Sequence, residues 1–91
     1  MIRVRVNFCV NQNKRVISAY HVDQPELLDN KNVKTGIYYV NTNNGYTEIK
    51  NNIIVPCIAN QFLKMDNSIE HRAVQQTDSK YRILINFNYL V

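Results

Sequence analysis

Two stretches of this chain alternate with period two, the first of them strictly, and they set the fold class before anything else does. In residues 2–10, Ile2, Val4, Val6, Phe8 and Val10 fall on one side, and Arg3, Arg5, Asn7 and Cys9 on the other. In residues 81–91, Tyr81, Ile83, Ile85, Phe87, Tyr89 and Val91 alternate with Arg82, Asn86 and Asn88. Successive side chains of a strand point to opposite faces, so each pattern predicts a strand buried on its apolar side and wet on the other. The second of them reads as the centre of a sheet.

Other β-prone runs extend the pattern. Residues 15–22 read as a strand, with Val16, Ser18, Tyr20 and Val22 alternating against Arg15, Ile17, Ala19 and His21. A three-residue loop at Asn11–Asn13 pairs Phe8 with Val16 and Val4 with Tyr20, which keeps one face of this hairpin apolar. The loop needs a left-handed residue at Asn13, a conformation that asparagine tolerates. The same register places Arg3, Arg5, Arg15 and His21 together on the opposite, solvent-facing side. Asp23 and Glu26, with Pro25 between them, predict one short helical turn closed by a capping box.

Ile37–Thr42 and Tyr46–Lys50 flank Asn43-Asn44-Gly45, a hairpin signal that pairs Val40 with Ile49 and Thr42 with Thr47. Asn51-Asn52 predicts another tight turn into residues 53–58, where Pro56 restricts the strand to an edge or a bulge. Residues 59–76 read two ways. Phe62, Met65, Ile69 and Ala73 have near-helical spacing, whereas Asp66-Asn67-Ser68 interrupts it as a turn between strands does. The pattern leans to a short helix over 68–76. The expected architecture is one mainly β domain over residues 1–91. Its antiparallel sheet has about six strands in hairpins and a meander, with one or two short helices. The alternative is an α+β fold with a helix over about 60–76.

Composition narrows the class. There is no apolar stretch near the ~18 residues a membrane helix needs, and the opening MIRVRVNFCV is not patterned as a signal peptide. Cys9 and Cys57 are too few for a disulfide scaffold. A hydrophobic fraction of 45% is too high for disorder. The expectation is a protein of the cytoplasm, the host's if the gene is viral. The net charge of +4 leans toward anionic partners, but the basic residues are dispersed and only Lys14-Arg15 are adjacent. Fourteen asparagines beside two glycines and two prolines mean that asparagine must form many of the turns.

The chemistry-bearing residues are sparse. Cys9, His21, Cys57 and His71 show none of the short spacings of structural zinc sites, which predicts no metal, two small buried thiols and two surface imidazoles. The seven acids are scattered, with Asp23 and Glu26 read as a helix cap. Gly36 and Gly45 are the only glycines, so no phosphate-cradling glycine loop exists. The expectation is no enzyme, no catalytic residue and no cofactor. Binding remains, and its candidates are Arg3, Arg5, Arg15, His21, Tyr38 and Tyr46, because arginine and tyrosine dominate interface hot spots. Tyr38 and Tyr39 point to opposite faces, so at most one of them is exposed. A small sheet with little helix also leaves a face uncovered, which a second copy would bury.

The opening strand followed by NQNKRVISAY is similar to the start of many short proteins of Firmicute phages, over residues 1–20. The resemblance implies an accessory protein of a virus or mobile element that acts by stoichiometric binding. The expected function is therefore a small non-catalytic, oligomeric binding protein. It would inhibit a host factor or sequester a small anionic ligand, with no membrane partner. The alternatives are a single-stranded nucleic-acid-binding β domain and a structural virion component.

Overall fold

The computed structural model describes residues 1–91 and is mainly β. Its strands are β1 (Arg3–Val10), β2 (Val33–Tyr39), β3 (Tyr46–Ile49), β4 (Ile53–Pro56), β5 (Gln61–Asp66), β6 (His71–Val74) and β7 (Tyr81–Leu90). They form two antiparallel sheets rather than the one expected, in the orders β1-β7-β2-β5 and β4-β3-β6. Helix is reduced to a single 3-10 turn at Pro25–Leu27. No helix is long and apolar enough to cross a membrane.

The sheets face each other across a core of Ile37, Tyr39, Cys57, Met65 and Leu84, edged by Ile49, Val55, Leu63 and Ile69. Tyr39 is fully buried, and its hydroxyl shares a 2.7 Å hydrogen bond with Thr47 Oγ1 on the facing sheet. Tyr38, its neighbour, points the other way and donates to Asn60 Oδ1 at 2.7 Å.

As the alternation predicts, β7 lies inside its sheet, between β1 and β2. Its register with β1 sets Val4 against Phe87, Val6 against Ile85 and Phe8 against Ile83, and on the other face Arg5 against Asn86. Which face turns inward is decided by β2. Val33, Thr35, Ile37 and Tyr39 are buried, whereas the opposite side offers only Lys34, Gly36 and Tyr38. Pairing Tyr39 with Leu84 and Ile37 with Asn86 brings the polar side of β7 inward with them. The expected polarity of the first strand is therefore inverted. Arg3, Arg5, Asn7 and Cys9 lie on the inner side, while Val4, Val6, Phe8 and Val10 look outward, with Val6 63% and Phe8 58% exposed.

Two further expectations need correction, for one shared reason. Most connections cross between the sheets, and only β3–β4 is a hairpin. Residues 15–22 do not pair with β1; they lean on β6 through the bridges Ile17↔Val74 and His21↔His71. Asn13 does adopt the left-handed conformation, at φ 62°. Asn43-Asn44-Gly45 carries the chain from one sheet to the other instead of turning it back. There Asn43 Oδ1 accepts from the Gly45 N–H at 2.9 Å. The Asn41 amide donates to the Tyr81 carbonyl at 2.9 Å and accepts from the Ile83 N–H at 2.8 Å. Side-chain amides thus stand in for ladder partners, and the crossing wins over the two-residue turn.

Residues 60–76 contain no helix, so the α+β alternative falls as well. β5 finds its ladder on the edge of β2, which sends Leu63 and Met65 into the core. Asp66-Asn67-Ser68 is a turn toward β6, as its composition allows. The β3–β4 turn, with Asn51 at φ 78° and Asn52 at φ 68°, and the edge position of Pro56 follow the sequence reading.

Candidate functional site

Because the alternating strands turn their polar sides inward, the space between the sheets is not wholly apolar. Asn7, Cys9, Arg82 and Asn86 from the four-stranded sheet meet Thr47, His71 and Gln75 from the other side around a cleft of about 90 Å³.

Arg82 is the least ordinary member. It is 1% exposed, and neither Nε nor Nη2 has a hydrogen-bond partner within the protein. Its stem passes Gly45 so closely that a Cβ there would sit 2.8 Å from Cδ, so residue 45 must be glycine for Arg82 to lie where it does. A guanidinium does not shed its proton, and a buried unpaired charge costs several kcal/mol. The acids around the three-stranded sheet are committed elsewhere. Glu48 Oε1 accepts from Arg72 Nε at 2.7 Å and from Nη2 at 2.6 Å, and the Tyr20 ring covers that guanidinium at 4.4 Å.

The second group is His21, Asp23 and His71. The two histidines face each other in an antiparallel bridge, exchanging backbone N–H···O bonds of 2.9 and 3.0 Å, with ring centroids 4.6 Å apart. Asp23 Oδ1 lies 3.5 Å from His21 Nε2 and 3.2 Å from His71 Nε2. The side chains of His71 and Asp23 are 5% and 4% exposed, and that of His21 is 49% exposed. Burial alone pushes the Asp23 carboxyl up, but hydrogen bonds from His71 and Asn88 outweigh it and bring the pKa down to about 2. Burial likewise pushes the His71 imidazole down, and the Asp23 hydrogen bond reverses that and holds it above its ordinary value.

Behind this cluster stands a buried polar chain. Asn88 Nδ2 donates to Asp23 Oδ2 at 3.2 Å and to Thr35 Oγ1 at 3.3 Å, and its Oδ1 accepts from Gln24 Nε2 at 3.4 Å. Gln24 is tied through its backbone to the Asn67 side chain by bonds of 3.1 and 2.9 Å.

The six residues singled out by sequence do not share one surface. Arg3 and Arg5 keep a common face on β1, but it is the inner one, with Arg5 opposite Asn86 of the cleft. His21 joins the histidine–aspartate cluster. Arg15 and Tyr46 meet elsewhere, the guanidinium 5.5 Å from the ring centroid and bonded to the Asn44 and Gln75 carbonyls at 3.1 and 2.9 Å. Tyr38 sits on the outer face of the four-stranded sheet.

Sequence reasoning missed Asp23, His71, Arg82 and Asn86. Asp23 makes no cap: the turn's N-cap is Gln24, with no side-chain capping bond. Of the two imidazoles expected at the surface, His71 is buried, and of the two thiols expected inside, Cys57 is buried and Cys9 only partly so. The usable signal was the polar set Arg82, Asn86 and Asn88 within the C-terminal alternation, once that set is known to face inward. No protein-family model, curated protein or solved structure matches the chain.

Proposed function

We propose that this protein is a non-catalytic binding protein that holds a small anion in the cleft between its sheets and works as a homo-oligomer. The observation that carries the first half is Arg82, a buried guanidinium lining the cleft with two nitrogens unpartnered by protein. A phosphate or carboxylate oxygen is the natural acceptor for such a planar fork. On the same walls Asn86, whose Oδ1 accepts from Asn7 Nδ2 at 3.1 Å, has its amide NH₂ to offer a further oxygen. The phage-like opening supports a viral or mobile-element accessory protein in the host cytoplasm, acting by stoichiometric sequestration.

The second half rests on the outer face of the four-stranded sheet. Val4, Val6, Phe8 and Val10 of β1 continue across β7 into Ile83, Ile85 and Phe87, and Phe62 of β5 reaches over Gly36 to within 6.0 Å of the Phe87 ring. Four strands ~4.8 Å apart and about eight residues long present roughly 500 Å² in plan before side-chain relief. A standard interface buries ~800 Å² of accessible surface per partner, so one self-complementary contact between two such faces, with side-chain relief added, approaches the size of a standard dimer interface. The few cations on this face speak against a phosphate backbone as its occupant: Lys34 is paired with Asp66, and only Lys64 stands free on β5.

The test of the cleft is thermal melting with inorganic phosphate or acetate. The melting temperature should climb with ligand for the wild type and stay flat for Arg82→Leu. An equal response of both proteins, or none at about 10 mM ligand, would overturn the reading. Light scattering on a sizing column tests the other half. A closed dimer at tens of micromolar supports it, a strict monomer sinks it, and an open-ended polymer favours the virion-component alternative.

A further inference from the structure

We infer that His21, Asp23 and His71 form a binding site for a divalent first-row transition ion, with Zn²⁺ as its representative. The inference stands on the geometry of these three residues and does not depend on the anion reading.

His21 Nδ1 lies 3.1 Å from the Ala19 carbonyl, and His71 Nδ1 lies 3.1 Å from the Ile69 carbonyl. A carbonyl oxygen only accepts, so Nδ1 must carry the proton in both rings. In the neutral ring the lone pair is therefore at Nε2, and in the doubly protonated ring Nε2–H points to Asp23. Both of these nitrogens converge on Asp23 Oδ1, at 3.5 and 3.2 Å, and a carboxylate oxygen also only accepts. Two ring nitrogens converging on one carboxylate oxygen need a positive centre between them, and that centre is either a proton on Nε2, as in the His71–Asp23 hydrogen bond, or a metal ion that replaces it.

The spacing suits a metal ion. Nitrogen and oxygen ligands bound at 2.0–2.1 Å with tetrahedral angles stand roughly 3.4 Å apart. The two histidine–aspartate separations bracket that value, and all three donor atoms lie within 4.8 Å of one another. The remaining histidine–histidine edge closes by a small rotation of His21, whose side chain is half exposed. The surroundings are also those of a ligand set. Each ring donates its Nδ1–H to a carbonyl, which fixes the tautomer and raises Nε2 basicity, and the second carboxylate oxygen is held by Asn88.

Two imidazoles and one carboxylate select a borderline ion such as Zn²⁺ over Ca²⁺ or Mg²⁺, which favour all-oxygen shells. Three protein ligands leave a coordination position open, and both histidines line the cleft, so a water or a ligand oxygen completes the shell from that side.

The competing occupant is a proton, giving a histidinium–aspartate pair with no affinity for metal. Isothermal titration of chelator-treated wild-type protein with ZnCl₂, in a buffer free of phosphate and carboxylate, separates the two. The expected result is one ion per chain, a raised melting temperature, and affinity weakened by about 100-fold or more in His21→Ala. His21 is the exposed ligand, so that variant is expected to fold, and its circular dichroism spectrum shows whether it does. Should it not, Co²⁺ added to wild-type protein gives an independent reading, since a low-symmetry site with two nitrogens colours the ion intensely. The absence of heat, of thermal shift and of colour on the wild type would overturn the inference. So would binding that survives in a folded His21→Ala protein. Arg82→Leu should bind Zn²⁺ as the wild type does, so failure of the anion reading leaves this one standing.

Discussion

The two faces of the four-stranded sheet invert the usual order. The face toward the second sheet carries Arg82, Asn86, Asn88, Asn7 and Thr35 among its apolar residues, and the face toward solvent is mostly aliphatic and aromatic, its charges confined to Lys34, Lys64 and Asp66 on β2 and β5. In a monomer built only for stability the assignment would be reversed, since each apolar side chain brought out of water contributes ~1.5–3 kcal/mol and each buried unpaired polar group costs a comparable amount. On the proposed reading, the inner face is shaped by what it would bind and the outer one by what it would meet. Arg82 and Val6 are two halves of one argument.

The largest effect should come from the few apolar residues that the inner face does contain. Leu84→Ala removes a buried side chain from the shared core and should cost about 2–5 kcal/mol in urea denaturation. Val6→Ala, measured on dilute monomer, should cost less than about 0.5 kcal/mol. If the two are equal, the contrast between the faces is broken. Next comes Val6→Lys combined with Phe8→Lys, which should weaken self-association by about 100-fold in analytical ultracentrifugation while leaving the monomer folded. Loss of folding instead would mean that β1 is held by its outer face. A smaller loss than that of Leu84→Ala should follow Gly45→Ala. Its methyl meets the Arg82 stem and the Asn43 side-chain oxygen Oδ1, so destabilisation of roughly 1 kcal/mol should accompany a several-fold loss of phosphate affinity. Unchanged affinity would show that Arg82 need not lie against residue 45 to bind.

How much of this was legible beforehand follows from what local sequence can encode. The strands β1 and β7 announce themselves by alternation, and the asparagine turns at Asn13 and Asn51-Asn52 by their backbone tolerance. The direction each strand faces is not local. It is set by β2, whose pairing with β7 commits Arg82 and Asn86 to the interior. The site was hidden for the same reason. His21 and His71 are fifty positions apart, and nothing in their spacing says that residues 15–22 abandon β1 to lie along β6. Asp23 was masked by a competing local pattern, since an aspartate two residues before a proline looks like a cap. Gly45 was read as a turn former, yet its φ is not positive; what it supplies is room.

The order β1-β7-β2-β5 also says something about time. β1 is joined to its sheet only through β7, and their paired residues, such as Arg3 and Asn88, are separated by most of the chain. Contacts between such distant partners form late, after the entropy of closing a long loop has been overcome. Until β7 is in place, β1 has no neighbour, and its run of valines and phenylalanine is the segment any other chain meets first. Folding of this protein is therefore a race between the arrival of its own last strand and capture of its first by another molecule, and protein concentration sets the outcome.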